Sequence, residues 1–153
     1  MTVIPDYLNV AFGEVGVKEI PGSGDETHIV AYHAACDDDD TYTADAVSWC
    51  SSFVNWCMKQ AGAPRTMSRA ARSWLTWGVP VDEPKIGDVC ILWRVSRQSW
   101  KGHVGFWLAE TPDGFVVLLG GNQGNQVKVS RYPKARVLGY RRMGRAAVDT
   151  VEV

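Results

Sequence analysis

The chain has 153 residues, the usual size of one domain, and 46% of them are hydrophobic, which is enough for a core without disulfides or a structural metal. Its net charge of −1 argues against non-specific nucleic-acid binding, which needs a basic surface. No stretch has the apolar length that spans a bilayer, and the first residues lack the pattern of a signal peptide. We expect one monomeric domain over residues 1–153, made in the cytoplasm, without nucleic acid or stable membrane insertion.

Helical spacing of apolar residues predicts the elements of the first half. One helix covers about Pro5 to Val15, and a second, shorter one covers Glu26 to Ala35. The strongest starts near Ser48, whose hydroxyl can cap it, and ends before Gly62. A short helix is predicted over Arg69 to Trp77.

The second half changes to strand-like runs between turn signals. The predicted strands are Val89–Trp93, Val104–Leu108, Phe115–Leu119, Val127–Ser130 and Val137–Tyr140. Helices first and strands after predict an α+β domain, with N-terminal helices packed on a C-terminal antiparallel sheet. Residues 141–153, with the basic cluster Arg141, Arg142 and Arg145, predict a solvated tail.

The four cysteines contain no C-x-x-C pair, which argues against a zinc knuckle or a thioredoxin-like motif. Cys57 and Cys90 fall in apolar segments and are predicted to lie in the core. Cys36 falls in a predicted loop, where it could be exposed.

Cys50 lies in the first turn of the strongest predicted helix. The free N–H groups and the positive end of the helix dipole at that point lower a thiol pKa and favour the nucleophilic thiolate. The same N–H groups can stabilise an oxyanion during acyl transfer. The alternative is that Cys50 is simply a small core residue.

His103 stands at the start of an apolar strand, between Gly102 and Gly105. It can act as the base for the cysteine if the sheet packs on the Cys50 helix, although a surface histidine at a strand end is the plainer alternative. If the next two strands form a hairpin, Asn122, or failing that Gln123, returns beside the ring and can orient it. A simple Gly/Asn turn is the alternative for that segment.

Tryptophans and the remaining histidines are further candidate binding groups. We expect Trp49 and Ser51, beside the nucleophile, together with Trp100 and Gln123, to contact substrate, while other tryptophans pack in the core. The two other histidines and the acidic run at residues 37–40 lack the ligand spacing of a calcium loop, so we expect a solvated acidic loop and no metal.

Four short motifs follow one another in the chain. They are Cys-Ser-Ser-Phe-Val at residues 50–54, Pro-Lys-Ile-Gly-Asp-Val at 84–89, Gly-His-Val-Gly-Phe-Trp at 102–107 and Gly-Gly-Asn at 120–122. In this order they resemble the motifs of the NlpC-type cell-wall peptidases and their CHAP relatives. The resemblance covers about residues 48–140.

The resemblance implies a papain-like fold and hydrolysis of an amide bond in bacterial peptidoglycan through an acyl-enzyme. Cys50 would attack, His103 would activate it and then protonate the leaving amine, and Asn122 would hold His103. No metal or other cofactor would be required. The similarity to the phage- and prophage-associated branch implies an endolysin-like enzyme that acts on the cell wall after release.

Two departures from the family pattern leave alternatives open. Trp49 stands where NlpC-type enzymes usually carry Asp, so the bond cut can be the muramoyl–alanine amide or a peptide bond of the stem or cross-bridge. Gly120 stands where CHAP-type enzymes carry an acidic residue. The second departure keeps open a catalytically inactive wall-binding or phage-structural module. A cysteine transferase or deamidase that acts on proteins is a weaker alternative.

Overall fold

A computed structural model describes residues 3–20, 26–36 and 48–144. Three α-helices precede the sheet: α1 (Asp6–Gly13), α2 (Thr27–Ala34) and α3 (Cys50–Gln60). They confirm the predicted helices, with slightly later starts and earlier ends. The predicted acidic loop at residues 37–40 and Arg145 lie outside the described residues.

Six strands form one sheet in the order β1-β6-β2-β3-β4-β5, and every neighbouring pair is antiparallel. Their bounds are β1 (Val79–Val81), β2 (Val89–Trp93), β3 (Gly102–Glu110), β4 (Phe115–Gly120), β5 (Lys128–Pro133) and β6 (Val137–Arg142). Strands β3 and β4 form the hairpin that the predicted site requires. Strand β1 was not predicted because Pro80 interrupts its pattern, and proline is tolerated at a sheet edge such as this one.

The alternation of side chains along β2 divides the core in two. Val89 and Ile91 join the larger cluster, which the helices cover, whereas Cys90 and Leu92 join a smaller cluster on the opposite face. Burial of Cys57 in the larger cluster and Cys90 in the smaller one confirms both as core residues. Cys36, for which the sequence left exposure open, is also buried.

Between α3 and β1 the predicted short helix is a 3₁₀ helix, Ala71–Thr76, and a second 3₁₀ turn, Lys134–Arg136, precedes β6. Nowhere in the ranges described does a helix have the length and apolarity to cross a membrane.

The prediction of a solvated tail from residue 141 was wrong for its first residues. Arg141 and Arg142 end β6 and are both held by the body of the domain. Arg141 donates to the carbonyl oxygens of Trp77 and Gly78, and Arg142 forms a two-pronged ion pair with the buried carboxylate of Asp88. The positive charges are therefore part of the packed structure.

Candidate active site

Cys50 is the first residue of α3 and is only 2% exposed. Trp49 occupies the N-cap position and makes no side-chain hydrogen bond there, so the expectation that Ser48 caps the helix was wrong. The Ser48 hydroxyl instead lies 3.8 Å from the Cys50 sulfur. The thiol thus meets the positive end of the helix without a competing side-chain cap.

His103 is the second residue of β3, and it is nearly buried. Its ring makes two polar contacts. One is an interaction with the Cys50 thiol that acts to lower the pKa of the thiol, and the other joins Nε2 to the side-chain oxygen of Gln123 at 2.9 Å. The structure therefore brings Cys50 and His103 together, as the sequence predicted.

Gln123 lies in the turn between β4 and β5 and is 2% exposed. Its amide nitrogen donates to the carbonyl oxygens of Leu118 and Lys128, at 3.2 and 2.7 Å. Two acceptors on the amide nitrogen leave the amide oxygen to face His103, so the ring must donate from Nε2–H. This leaves Nδ1 as the basic ring nitrogen, which has a lone pair to accept a proton.

The glycine at position 120 follows from the same geometry. A Cβ at Gly120 would lie 2.5 Å from Oε1 of Gln123, closer than non-bonded atoms approach each other. Any side chain at position 120, acidic or not, would displace the amide from the histidine. The departure from the CHAP pattern at Gly120 thus accompanies a different partner for His103.

The environment of Cys50 favours the thiolate. Burial by itself raises the pKa of the Cys50 thiol, but the charge and hydrogen bond of His103 oppose it, with help from the Val104 N–H and the Ser48 hydroxyl. The net result is a Cys50 pKa below the ordinary value for cysteine. Burial instead raises the pKa of Cys57 and of Cys90, which have no such partner, so the three thiols differ in chemistry.

An open pocket of about 310 Å³ lies on the His103 side of this pair. It is lined by Arg94, His103, Asn122, Asn125, Tyr132 and Arg136. The Tyr132 ring packs on the imidazole with a centroid distance of 5.0 Å and an interplanar angle of 37°. A substrate in this pocket would lie against the exposed side of the histidine.

Asn122 does not hold His103 as expected. Its backbone has a φ of 59°, and its side-chain nitrogen donates to the Ser48 hydroxyl at 3.3 Å. The left-handed backbone turns this side chain toward Ser48, and the adjacent Gln123 takes the place beside the ring. Asn122 remains at the pocket wall.

Three of the four expected substrate contacts were wrong, because two of the side chains are fully buried and the third is bound to groups inside the protein. Trp49 is fully buried and donates from its indole nitrogen to Glu19 at 2.7 Å, and Ser51 is fully buried between Ser68 and Trp74. Gln123 is occupied by its internal contacts. Trp100 is the exception, with 71% of its surface exposed.

The pocket also contains three residues that the sequence did not predict, Arg94, Tyr132 and Arg136. The alternation of β5 could have placed Tyr132 on a partly buried face, but no local pattern associates it with His103. Among the described residues, no group of three or more histidine, cysteine or acidic side chains is arranged to hold a metal ion.

Residues 41–122 match the CHAP domain family, and this is more than half of the chain. The chain belongs to the CHAP family. The match contains Cys50, His103 and Asn122 and ends one residue before Gln123. A comparison of this CHAP-family chain with curated protein sequences gives no match.

Three solved structures share the fold. The wild-type endolysin LysIME-EF1 is 20% identical, with a TM-score of 0.58 over 95% of this chain and 68% of that one. An NlpC/P60 family protein from Bacillus cereus ATCC 10987 is 18% identical, with a TM-score of 0.53 over 90% of this chain and 39% of that one. A protein from Staphylococcus aureus subsp. aureus Mu50, described as similar to lipoprotein of the NLP/P60 family, is 18% identical, with a TM-score of 0.50 over 91% and 40%.

These likenesses confirm the predicted α+β fold of the CHAP-family chain. The chain spans about two-fifths of the length of the two NlpC/P60 proteins.

Proposed function

We propose that this CHAP-family chain is a cysteine peptidoglycan hydrolase in which Cys50 is the nucleophile, His103 the base and Gln123 the residue that orients the base. The observation that carries the proposal is that His103 interacts both with the Cys50 thiol, whose pKa it acts to lower, and with the Gln123 oxygen, while Cys50 lies at the start of a helix. Each group has the partner that its role in acyl transfer requires.

The reaction follows from this geometry. Nδ1 of His103 takes the thiol proton, and the Cys50 sulfur attacks the amide carbon of the substrate. Backbone N–H groups at the start of α3 stabilise the oxyanion that forms. The imidazolium then protonates the leaving amine, which departs and leaves a thioester. Water, deprotonated by His103, attacks the thioester to release a carboxylic acid and restore the thiol.

Peptidoglycan as the substrate is supported by membership of the CHAP family and by the fold shared with an endolysin. The bond cut is either the muramoyl–alanine amide or a peptide bond of the stem or cross-bridge. An endolysin-type role, with synthesis in the cytoplasm and action on the wall after release, completes the proposal.

A catalytically inactive module of the same fold is the competing function. The absence of an acidic residue at Gly120 was the support for an inactive module. That support is weaker because the Gln123 oxygen contacts Nε2 of His103 and can orient the ring instead.

The test is mass spectrometry of purified peptidoglycan after digestion with the wild-type protein, Cys50→Ala and Cys90→Ala. Cys90 is a matched control because it is a buried thiol on the other face of the sheet. We expect new fragments from the wild type and Cys90→Ala but none from Cys50→Ala, and the fragment masses identify the bond. A thermal unfolding measurement checks that each variant is folded. The same fragments from folded Cys50→Ala, or none from folded wild type, would overturn the proposal.

A further inference from the structure

Two arginines stand at the wall of the pocket beside His103. Arg94 directly follows β2, and Arg136 directly precedes β6, so neighbouring strands of the sheet bring them together. Neither has a part in the proposed reaction, because neither contacts Cys50 or Gln123 through a hydrogen bond. The positive charge they supply is local, since the whole chain has a net charge of −1.

Arg136 is held in place by contacts with Trp93. Its Nε and Nη2 donate to the carbonyl oxygen of Trp93 at 3.1 and 3.0 Å, and its guanidinium lies 5.4 Å from the Trp93 ring centroid. A guanidinium has five N–H donors, so three remain for another acceptor. An arginine fixed in this way loses little conformational freedom when it binds an anion.

Neither arginine has an acidic partner within residues 3–20, 26–36 and 48–144. Other arginines in these ranges do, since Arg131 pairs with Asp113 and Arg142 with Asp88. The pocket lining also contains no aspartate or glutamate. Two guanidinium groups in a polar pocket that has no carboxylate of its own can pair with a carboxylate supplied by a ligand.

The pKa of the Tyr132 hydroxyl is also affected by the positive charge of the two arginines. Burial, the largest cause, and the Cys50 thiolate raise the pKa of Tyr132 to about 12, while Arg136 and Arg94 both act to lower it. Both guanidinium groups therefore act electrostatically on a ring that packs on His103.

We infer that Arg94 and Arg136 bind a free carboxylate of the peptide substrate, close to the amide bond that Cys50 attacks. This inference rests on the proposed function and names the chemistry of the substrate that the site prefers. Wall peptides differ in whether their side carboxylates are free or amidated, and the arginines would favour the free form. Planar carboxylates match the guanidinium fork, and a pocket of about 310 Å³ has room for one such residue next to the reacting bond.

The test compares two substrates that differ only in charge. Peptidoglycan stripped of phosphate-containing polymers is used with its peptide carboxylates free, or after carbodiimide-mediated amidation with ammonia. Removal of these polymers eliminates phosphate, the other anion of the wall that the two arginines would bind. For the wild type we expect amidation to lower kcat/KM about ten- to hundredfold, which is the effect of losing a charge-assisted hydrogen bond.

The variants are Arg94→Gln, Arg136→Gln and the control Arg131→Gln. Arg131 is an exposed arginine of β5 that the pocket does not include. On the wall with free carboxylates, we expect kcat/KM of the first two variants to fall by a similar factor. On the amidated wall, their kcat/KM should differ little from that of the wild type. Arg131→Gln should behave like wild type on both substrates. This non-additivity separates carboxylate binding from damage to the fold, which would lower activity on both substrates equally.

A binding measurement separates this inference from the proposed function. Cys50→Ala is titrated with soluble wall peptides in free and amidated form, and we expect about tenfold or more tighter binding of the free form. Carboxylate-dependent binding without any cleavage by the wild type would overturn the proposed hydrolysis and leave the carboxylate site standing. Cleavage with equal rates and equal binding on both substrates would overturn the carboxylate site and leave the hydrolase standing.

Discussion

The amide oxygen of Gln123 lies 2.9 Å from Nε2 of His103, while the amide nitrogen of the same side chain is bound to carbonyl oxygens of β4 and β5. The two strands thus determine which end of the amide faces the ring. Because an oxygen faces Nε2, that nitrogen carries a proton and Nδ1 is left to accept one from Cys50. The tautomer of His103 that the proposed reaction requires is therefore set by backbone groups of the sheet.

Replacement of Gln123 tests this relationship. Gln123→Ala removes the acceptor for Nε2–H and two hydrogen bonds to carbonyl oxygens of β4 and β5, so we expect kcat to fall about tenfold or more and stability to fall by about 1–3 kcal/mol. Asn122→Gly keeps the left-handed backbone and removes only a weaker contact with Ser48, so kcat should fall by no more than about threefold. Steady-state kinetics on peptidoglycan and denaturant unfolding measure both effects. Equal kcat values for the two variants would mean that Gln123 does not orient the base.

The lowered pKa of Cys50 predicts selective alkylation. Only the thiolate reacts with iodoacetamide, so the rate falls as the pH drops below the thiol pKa. In the wild type we expect the midpoint of this profile below the value of about 8.5 for an ordinary thiol. In His103→Ala the pH midpoint should move above that value, because burial still raises the Cys50 pKa and the opposing charge is gone.

Peptide mapping by mass spectrometry identifies the modified thiol at each pH. Cys57 and Cys90 are the internal controls, and both should stay unmodified in the folded protein at neutral pH because burial raises their pKa. A pH profile that is the same in wild type and His103→Ala would contradict the thiol–imidazole pair.

The backbone at Gly121 must approach the start of α3 closely. A Cβ at this position would lie 2.7 Å from the Cβ of Phe53 and 2.7 Å from the Trp49 ring. Gly121→Ala should therefore cost about 1–3 kcal/mol of unfolding free energy and lower kcat, because the turn that carries Gln123 is pushed away from α3. Gly13→Ala, where the added Cβ meets nothing within 4 Å, should cost no stability. Urea unfolding compares the two, and unchanged stability of Gly121→Ala would show that the turn can shift freely.

The ion pair of Asp88 with Arg142 predicts a structural role for the Gly-Asp motif that precedes β2. Asp88 is 3% exposed and accepts from Arg142 at 2.9 and 2.7 Å and from the Lys85 N–H at 2.7 Å. Asp88→Asn should lower the free energy of unfolding by about 2 kcal/mol. Glu110→Gln, at the exposed pair with Lys134, should change it by less than about 0.5 kcal/mol. Similar losses in the two variants would show that burial adds nothing to the Asp88 pair.

The elements that the sequence predicted well are those whose pattern is local. The apolar face of α3 and the run of Val89–Trp93 are repeated at the spacing of one helix turn or one strand pleat, so neighbouring residues suffice to recognise them. The position of Cys50 at the start of α3 was predicted in the same way, from the local helical pattern. In contrast, β1 depends on pairing with β6, more than fifty residues later, and its proline conceals it locally.

What the sequence by itself determined is the fold class and the positions of Cys50 and His103, the proposed nucleophile and base, since each lies in a short motif on a recognisable element. The tertiary structure decided the rest of the site. Asn122 and Gln123 are adjacent polar residues in one turn, and only the backbone angle of Asn122 and the carbonyl groups of β4 and β5 place Gln123 on His103. Arg94 and Arg136 meet at the pocket because β2 and β6 are neighbours in the sheet, a pairing between segments about forty residues apart that no local spacing encodes.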